Sequence, residues 1–286
     1  MLTLLASVAI AQSQWGSFYG HPDDAEPYVG GFLQEVCGLK VMKDEVLGLY
    51  KYHYFQVISP TTGLDTGARE PYEVRVGYMG HKVVNDLRGG NPVLRFESDG
   101  LRTFFKAFEV GEYRTVFQRA RRTWLDLNGH ILRDEHRIRT PRGAYEVVAE
   151  FKGSEIELVW RSPRGERELT LMPAEGVAAF EREFEPMVEG EKVLKKEKTF
   201  LRLDPETGGY EKVIIRIPGR FKGRALNKQY VGHSVEYITS KRTLTAYITY
   251  EGKLLQVDLP RNHFLFAEVV PEENEVGLKR LERIGG

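Results

Sequence analysis

Apolar and polar residues alternate along much of the chain, most clearly between residues 143 and 171. The segments 145–151 and 155–161 both place apolar residues at every second position and mainly charged residues between them. Successive side chains of a strand point to opposite faces of a sheet, so this period of two predicts strands with one dry and one wet face. Lys152-Gly153-Ser154 joins the two segments, and residues 162–165 lead to a third. We therefore expect an antiparallel meander in this region.

The same pattern of strand, turn and strand is predicted for residues 113–138. Asp126, Asn128 and Gly129 supply the turn, because Asn and Gly tolerate positive φ and an Asp side chain bonds to nearby backbone. The flanking residues are long or branched, which suits extended structure. The aromatic side chains that we expect to anchor the sheet are Trp124, Trp160 and Phe151.

Further strands are predicted at residues 47–58, 210–217, 230–238, 243–250 and 254–259 from their aromatic and β-branched content. Residues 72–84 are predicted to form a strand pair with its tight point at Met79-Gly80-His81. The period changes at residues 174–189, where Val177, Phe180, Phe184 and Met187 lie three or four positions apart. That spacing predicts a short amphipathic helix.

These elements predict a mainly β fold of meander hairpins in two halves, with a short helical insert near residues 174–189. The expected organisation is a signal peptide at 1–12, a loop-rich N-terminal segment at 13–71, a first β half at 72–173, a helical insert and linker at 174–198, a second β half at 199–271 and a charged tail at 272–286. The charge run at residues 192–198 is predicted to be a solvated surface segment.

The N-terminus carries an apolar run, Leu2 to Ala11, that ends in the small-x-small pattern Ala9-Ile10-Ala11. This is typical of a cleaved signal peptide and predicts a periplasmic or secreted protein. The run is too short to span a bilayer, and no other stretch is long and apolar enough to do so. The single cysteine, Cys37, excludes an internal disulfide and is predicted to be a small buried apolar residue.

Charge gives no sign of a polyanionic partner. Lys plus Arg and Asp plus Glu are 41 each, so neither nucleic acid nor an anionic membrane is expected as a ligand. The one stretch that mixes basic and aromatic residues, 220–224, is short and isolated. It is predicted to be a solvated loop.

Two short motifs resemble catalytic signatures. His21-Pro22-Asp23-Asp24 resembles the motif of zinc-dependent deacetylases that act on N-acetylglucosaminyl compounds. The resemblance implies zinc ligands at His21 and Asp24 and a general base at Asp23. No buried strand precedes the motif and no later segment offers a third ligand, so a turn with capping Asp side chains is the favoured interpretation.

Leu64-Asp65-Thr66-Gly67-Ala68 resembles the motif of aspartic proteases, which implies a catalytic role for Asp65. That chemistry needs a second aspartate that shares the proton, and the chain has no second copy of the motif. A polar loop is therefore favoured. The seven histidines are scattered, and His130 and His136 are predicted to be surface or turn residues. We expect no metal and no cofactor.

From about residue 72 to residue 271 the order of features resembles the β-rich module that precedes the catalytic domain in some secreted bacterial transglutaminase-like proteins. The matching parts are Gly80-His81-Lys82-Val83, the hairpin around Trp124, the meander, the helix after Pro173 and the hairpin at Tyr250–Leu254. The resemblance implies a curved antiparallel sheet like that of periplasmic lipoprotein carriers. The Cys-His-Asp catalytic domain of that family is missing from the sequence, so no active site is carried over.

The predicted function is therefore that of a non-enzymatic exported β module that binds or scaffolds a partner or a cell-envelope component. The alternative is a periplasmic carrier of an apolar ligand such as a lipid or lipoprotein, with the concave face of the sheet as its pocket. A hydrolase based on the two short motifs is the third interpretation. A carrier requires Trp124, Trp160, Phe151 and Leu158 to line a cavity, whereas a binding module packs them.

Overall fold

The computed structural model describes residues 35–38, 51–58, 73–105, 113–140, 143–225, 228–241, 243–258 and 263–268. Residues 35–38 are helical. The strands are β1 (Lys51–Ile58), β2 (Glu73–Arg88), β3 (Asn91–Phe105), β4 (Tyr113–Leu125), β5 (Ile131–Thr140), β6 (Gly143–Lys152), β7 (Glu155–Ser162), β8 (Gly165–Leu171), β9 (Val188–Glu189), β10 (Lys192–Val193), β11 (Glu197–Asp204), β12 (Gly209–Ala225), β13 (Lys228–Ile238), β14 (Thr243–Thr249), β15 (Leu254–Asp258) and β16 (His263–Glu268). Between β8 and β9 lie the helix α1 (Ala178–Glu181) and a 3-10 helix (Arg182–Phe184).

Fourteen of these strands form one antiparallel sheet, in the order β11-β12-β13-β14-β15-β16-β1-β2-β3-β4-β5-β6-β7-β8. It consists of a seven-stranded meander, β2–β8, and a five-stranded meander, β11–β15, which β16 and β1 join. The pair β9 and β10 forms a separate small ribbon. The predicted fold class, a mainly β protein with two meanders and a short helical segment between them, is confirmed.

The alternation between residues 143 and 171 produces strands with one buried and one exposed face, as predicted. Val147, Ala149 and Ile156 have no exposed surface, while Glu157 and Arg161 on the other face are exposed. Because one face is dry along both strands, a slip of one residue would bury the charged set instead. This fixes the pairing of β6 with β7, in which Ala149 lies opposite Leu158.

The strand pair predicted at residues 72–84 is wrong, because β2 runs without interruption through Met79, Gly80 and His81. Backbone pairing with β1 on one side and β3 on the other holds Gly80 in extended structure. The chain reverses later, at Gly89 and Gly90, whose φ angles are 55° and 82°. Two consecutive residues with positive φ suit a tight hairpin turn and favour glycine.

The helical insert is shorter than the predicted range 174–189. It ends at the 3-10 helix because Glu185, the residue before Pro186, is extended with ψ of 131°. A proline disfavours the helical conformation in the residue before it. Phe180 and Phe184 of this insert are buried. The β9–β10 ribbon begins at Val188.

Strand β11 was not predicted. Its side chains contribute to two hydrophobic cores, which are called core A and core B. Leu201 and Leu203 on one of its faces join core A, whereas Phe200 on the other face joins core B. Core A consists of Val83, Leu94, Phe96, Leu125, Ile131, Val147, Ala149, Ile156, Leu158, Ala179, Phe180, Phe184, Leu201 and Leu203. Core B consists of Val36, Met187, Val188, Phe200, Val213, Ile215, Ile217, Val235, Tyr237, Leu244, Ala246, Ile248, Leu254 and Val257.

Residues 220–224 lie in β12, so the prediction of a solvated loop is wrong. Beyond a register shift between Arg216 and Gly219, β12 continues in pairing with β13 from Gly219 to Ala225. Main-chain pairing with the neighbouring strand extends this polar, glycine-containing stretch. Its side chains stand above or below the sheet, and Phe221 among them is half-buried.

Candidate functional site

The predicted turn residues lie between β4 and β5. The carboxylate of Asp126 accepts hydrogen bonds from the backbone N–H groups of Asn128, at 2.8 Å, and His130, at 2.9 Å. Gly129 has a φ of 99°, and its N–H donates to the Asp126 carbonyl at 3.1 Å. These hydrogen bonds satisfy polar backbone groups of the turn, so the predicted turn residues have a structural role.

The three predicted aromatic anchors do not share one environment. Trp124 faces outward, where its indole N–H donates to Asp86 at 3.3 Å and the Arg133 guanidinium lies 5.6 Å from its ring. Trp160 faces inward and donates to the carbonyl of Pro205 at 2.8 Å. A Cβ on Gly208 would lie 2.7 Å from the Trp160 ring, so the fit is close.

Phe151 is also packed, with its ring edge-on to Phe180 at a centroid separation of 5.5 Å. Leu158 is only 3% exposed. The side chains that a carrier would need as a cavity lining therefore contact other side chains. Cys37 is half-buried, forms no disulfide, and packs against core B rather than being fully buried as predicted.

The two motifs that resemble catalytic signatures lie outside the described residues, so His21, Asp23, Asp24 and Asp65 have no described geometry. Within the described part of the chain, no three His, Cys, Asp or Glu side chains are grouped so that they could hold a metal ion. The described helices include none long and apolar enough to cross a membrane.

His136 contradicts its prediction as a surface or turn residue, because it is completely buried on β5. Burial lowers the pKa of His136 well below its usual value, and the neighbouring Arg121, Arg119 and Arg202 act in the same direction. The imidazole is therefore neutral near pH 7. His130, in contrast, is exposed beside Asp126, whose carboxylate raises the pKa of His130.

A group of five charged side chains lies inside the protein and is called the ion cluster below: Glu35, Arg121, Asp134, Glu183 and Arg202. Each side chain is only 1% or 2% exposed. They come from residues 35–38, from β4, β5 and β11, and from the 3-10 helix. The cluster was not predicted, since charged residues in a sequence usually indicate surface.

Arg121 is the centre of the ion cluster. Its Nε and Nη2 donate to the two carboxylate oxygens of Asp134 at 3.1 and 2.9 Å. Nη2 also donates to Glu183 at 2.8 Å, and Nη1 donates to the other oxygen of Glu183. Thr123 Oγ1 donates to Asp134 at 2.7 Å. A planar guanidinium suits such paired contacts.

Glu35 connects the N-terminal helical residues to this cluster. Its carboxyl lies 3.4 Å from Nη1 of Arg202, whose Nη2 donates to Glu211 at 2.8 Å. The Arg202 guanidinium also stacks over the Tyr237 ring at 5.5 Å. Burial, followed by the charge of Glu183, raises the pKa of Glu35 to about 7. Burial likewise acts on Glu183, but Arg121 outweighs it and holds the pKa of Glu183 below its usual value.

Lys198 binds backbone carbonyl groups beside the ion cluster. Its Nζ donates to the carbonyls of Glu183, at 2.9 Å, and Glu185, at 2.8 Å, and also to the Glu35 carbonyl. Burial lowers the pKa of Lys198 to about 8. Lys198 is the last residue of the run 192–198, which was predicted to be solvated. Lys198 is buried, whereas the rest of that run is exposed.

Two carboxyl groups that share a proton can perform acid–base chemistry when a substrate reaches them. Here the Glu35 and Glu183 side chains are each only 1% exposed and lie beside Arg121 and Arg202, so a substrate has no access to them. The paired geometry satisfies the charges within the protein. We therefore interpret the ion cluster as a structural element that holds residues 35–38 against β11 and the 3-10 helix.

A second feature lies on the outer face of the β12–β15 meander and is called the aromatic depression. It has a volume of about 160 Å³ and is lined by Phe221, Lys222, Gly223, Tyr230, Tyr247, Leu255 and Gln256. The rings of Phe221 and Tyr247 are 5.2 Å apart and inclined at 75°. This is the edge-to-face arrangement that aromatic pairs favour.

The strand register explains why these side chains meet. Phe221 lies opposite Gly232, and Gly223 lies opposite Tyr230. Gly232 has no room for a side chain, because a Cβ there would lie 1.9 Å from the Ile248 carbonyl oxygen and 2.8 Å from the Phe221 ring. The Phe221 ring therefore lies over Gly232, while Gly223 lines the depression without a side chain of its own.

The rim of the aromatic depression is polar. Burial raises the pKa of Tyr247, and a hydrogen bond to the nearby Asp258 carboxylate acts in the same direction. The side-chain amide of Gln256 donates to the same carboxylate. Lys222 lies between Phe221 and Gly223 on β12, so its exposed side chain points to the opposite face of the sheet. Apolar walls with a few convergent polar groups are typical of ligand-binding sites.

Comparison of the chain with protein-family models, with curated proteins and with solved structures finds no match. The resemblance to the non-catalytic module of transglutaminase-like proteins thus stays an expectation from the sequence.

Proposed function

We propose that the protein is a non-enzymatic, exported β module that binds a component of the cell envelope on its outer surface. The observation that carries this proposal is the filled interior. Core A packs on the β2–β8 meander and core B on the β11–β15 meander, the ion cluster joins β4 and β5 to β11, and the aromatic depression lies on the outer face.

The filled interior also bears on the alternative, a carrier of an apolar ligand. An acyl chain needs an apolar cavity, whereas the centre of this protein holds five charged side chains that are paired with one another. Opening that region to lipid would separate charges that are buried, and breaking one buried pair costs about 3–5 kcal/mol. The binding module is therefore the better-supported function.

Binding to envelope material tests the proposal directly. Purified protein should sediment with insoluble cell-wall sacculi from a bacterium, and it should not float with phosphatidylethanolamine–phosphatidylglycerol vesicles. The variant Phe221→Ala should lose sedimentation, while Val231→Ala should keep it. Val231 is the neighbour of Tyr230 on β13 and points to the opposite face.

Native mass spectrometry of protein purified from a bacterial periplasm examines the carrier alternative. The expected spectrum is that of the polypeptide alone. A stable adduct with the mass of a phospholipid or of a lipoprotein acyl group, together with failure to sediment with sacculi, would replace the binding module by the carrier.

A further inference from the structure

The aromatic depression restricts the size of its ligand. Its volume of about 160 Å³ is below the roughly 300–1,000 Å³ of sites that enclose drug-sized molecules. It can hold one ring-sized group, with the rest of the ligand continuing across the surface. An acyl chain or a folded domain would leave most of its own contact area outside.

The walls and the floor favour a ring that has an apolar face. Phe221 and Tyr247 provide two ring surfaces that are nearly perpendicular. Gly223 leaves the backbone open beside the Phe221 ring, which a Cβ at position 223 would approach to 3.6 Å. The negative face of an aromatic ring attracts the weakly positive hydrogens of C–H groups.

The rim favours hydroxyl or amide groups around the edge of that ring. Asp258 accepts and the Gln256 amide donates. The Asp258 carboxylate disfavours an anionic ligand, whereas a neutral hydroxyl or amide group can donate a hydrogen bond to it. A pyranose ring has this combination, because its C–H bonds form an apolar face and its hydroxyls project from the edge.

We propose that the aromatic depression binds one pyranose ring of an uncharged glycan, with its C–H face against Tyr247 and Phe221. Its hydroxyl or N-acetyl groups then bond to Asp258 and Gln256. This proposal rests on the proposed function, because it names the class of envelope component that is bound.

An NMR titration of the full ¹⁵N-labelled chain tests the ligand class. The probes are a β-1,4-linked N-acetylglucosamine tetrasaccharide, a β-1,4-linked glucose tetrasaccharide and a proline-rich peptide as a non-sugar ligand. We expect saturable shifts of the Gly223 and Gly232 amides and of the Gln256 side-chain amide with at least one tetrasaccharide. Absence of shifts with both sugars overturns the proposal, as does saturable binding of the peptide alone.

Variants separate binding from folding. Tyr247→Ala should weaken tetrasaccharide binding by about tenfold or more, because it removes one of the two aromatic rings that contact the sugar. Gln256→Ala removes one rim group without touching either core and should weaken it by about threefold to tenfold. Val231→Ala, on the opposite face of β13, should leave the affinity unchanged. Equal affinity of Gln256→Ala and the unmodified protein contradicts the proposed contacts even if Tyr247→Ala fails to fold.

The two proposals can fail separately. If the protein sediments with sacculi but neither tetrasaccharide shifts the NMR signals of the depression, the proposed ligand class is wrong and the proposed binding function stands. If it neither sediments nor binds sugar, both proposals are wrong.

Discussion

Glu35 provides a quantitative test of the ion cluster through the variant Glu35→Gln. The pKa of Glu35 rises from 4.5 to about 7 in the folded protein, so the folded state holds a proton that the unfolded state has released in that interval. By linkage, the free energy of unfolding then falls as pH rises from about 4.5 through about 7. A difference of about 2.5 pKa units corresponds to about 3 kcal/mol, as an order of magnitude.

Gln at position 35 is neutral at every pH and has nearly the same shape. Its amide can donate to Glu183 as the protonated carboxyl does. Near pH 5 the variant should therefore be about as stable as the unmodified protein. Near pH 8 it should be more stable, by an amount approaching about 3 kcal/mol.

Other buried groups in and around the ion cluster titrate as well, so the quantity to compare is the difference in the free energy of unfolding between the two proteins. His136 has a lowered pKa, so its own contribution stabilises the fold as pH rises through the interval below about 6.5. Arg121 and Arg202 keep their charge throughout, and Lys198, with a pKa of about 8, begins to lose its proton only above the Glu35 interval. Glu183, with its lowered pKa, releases its proton below that interval.

Urea unfolding followed by tryptophan fluorescence at a series of pH values provides the assay. The matched control is Glu150→Gln. Salt bridges to Arg88 and Arg133 hold the pKa of Glu150 below its usual value although burial opposes them. Its contribution should be lost as pH falls, which is the opposite sign. Parallel pH curves for the unmodified protein and Glu35→Gln would refute the assignment of a buried, proton-holding Glu35.

Three further substitutions test the fold. Gly129→Val should destabilise the protein by about 1–3 kcal/mol in urea unfolding, since a β-branched residue is strained at a φ of 99°; unchanged stability would contradict the turn geometry. Gly232→Ala should lower the melting temperature, because its Cβ would meet the Ile248 carbonyl oxygen at 1.9 Å and overpacking costs about 1–3 kcal/mol; a neutral result would show that β13 and β14 separate easily. Arg121→Met should cost about 3–5 kcal/mol by leaving two buried carboxylates unpaired, and replacing both carboxylates by Leu in the same chain should restore most of that loss; failure of the restoration would mean that the arginine acts mainly through packing.

The sequence was sufficient for those strands in which alternation matches burial. Between residues 143 and 171 the apolar positions face core A, so the period of two predicted the strands and their turns. Strand β11 has the opposite character. Lys198, Arg202 and Asp204 occupy its face toward core B, and all three are buried and paired. Alternation cannot identify a strand that is buried on both faces and carries charged residues on one of them.

The candidate sites depend on contacts between distant segments. Phe221 and Tyr247 meet only because β12, β13 and β14 pair in a particular register, and single-sequence patterns do not determine register. The ion cluster combines residues from five elements. Its members have no common spacing, so each one considered alone indicates a surface position. The mix of base and aromatic at 220–224 was the one available signal near the depression, and a loop was expected there.

The sheet order has a consequence for the way in which the chain folds. Each meander pairs strands that are neighbours in sequence, so both can form through short loops soon after their residues are available. The junction is different, because β1 pairs with β16 from the far end of the described chain. During synthesis the outer edge of β1 therefore stays without its partner until β16 has left the ribosome. An open strand edge is a site for pairing with other chains, and this interval is when the nascent protein most needs protection.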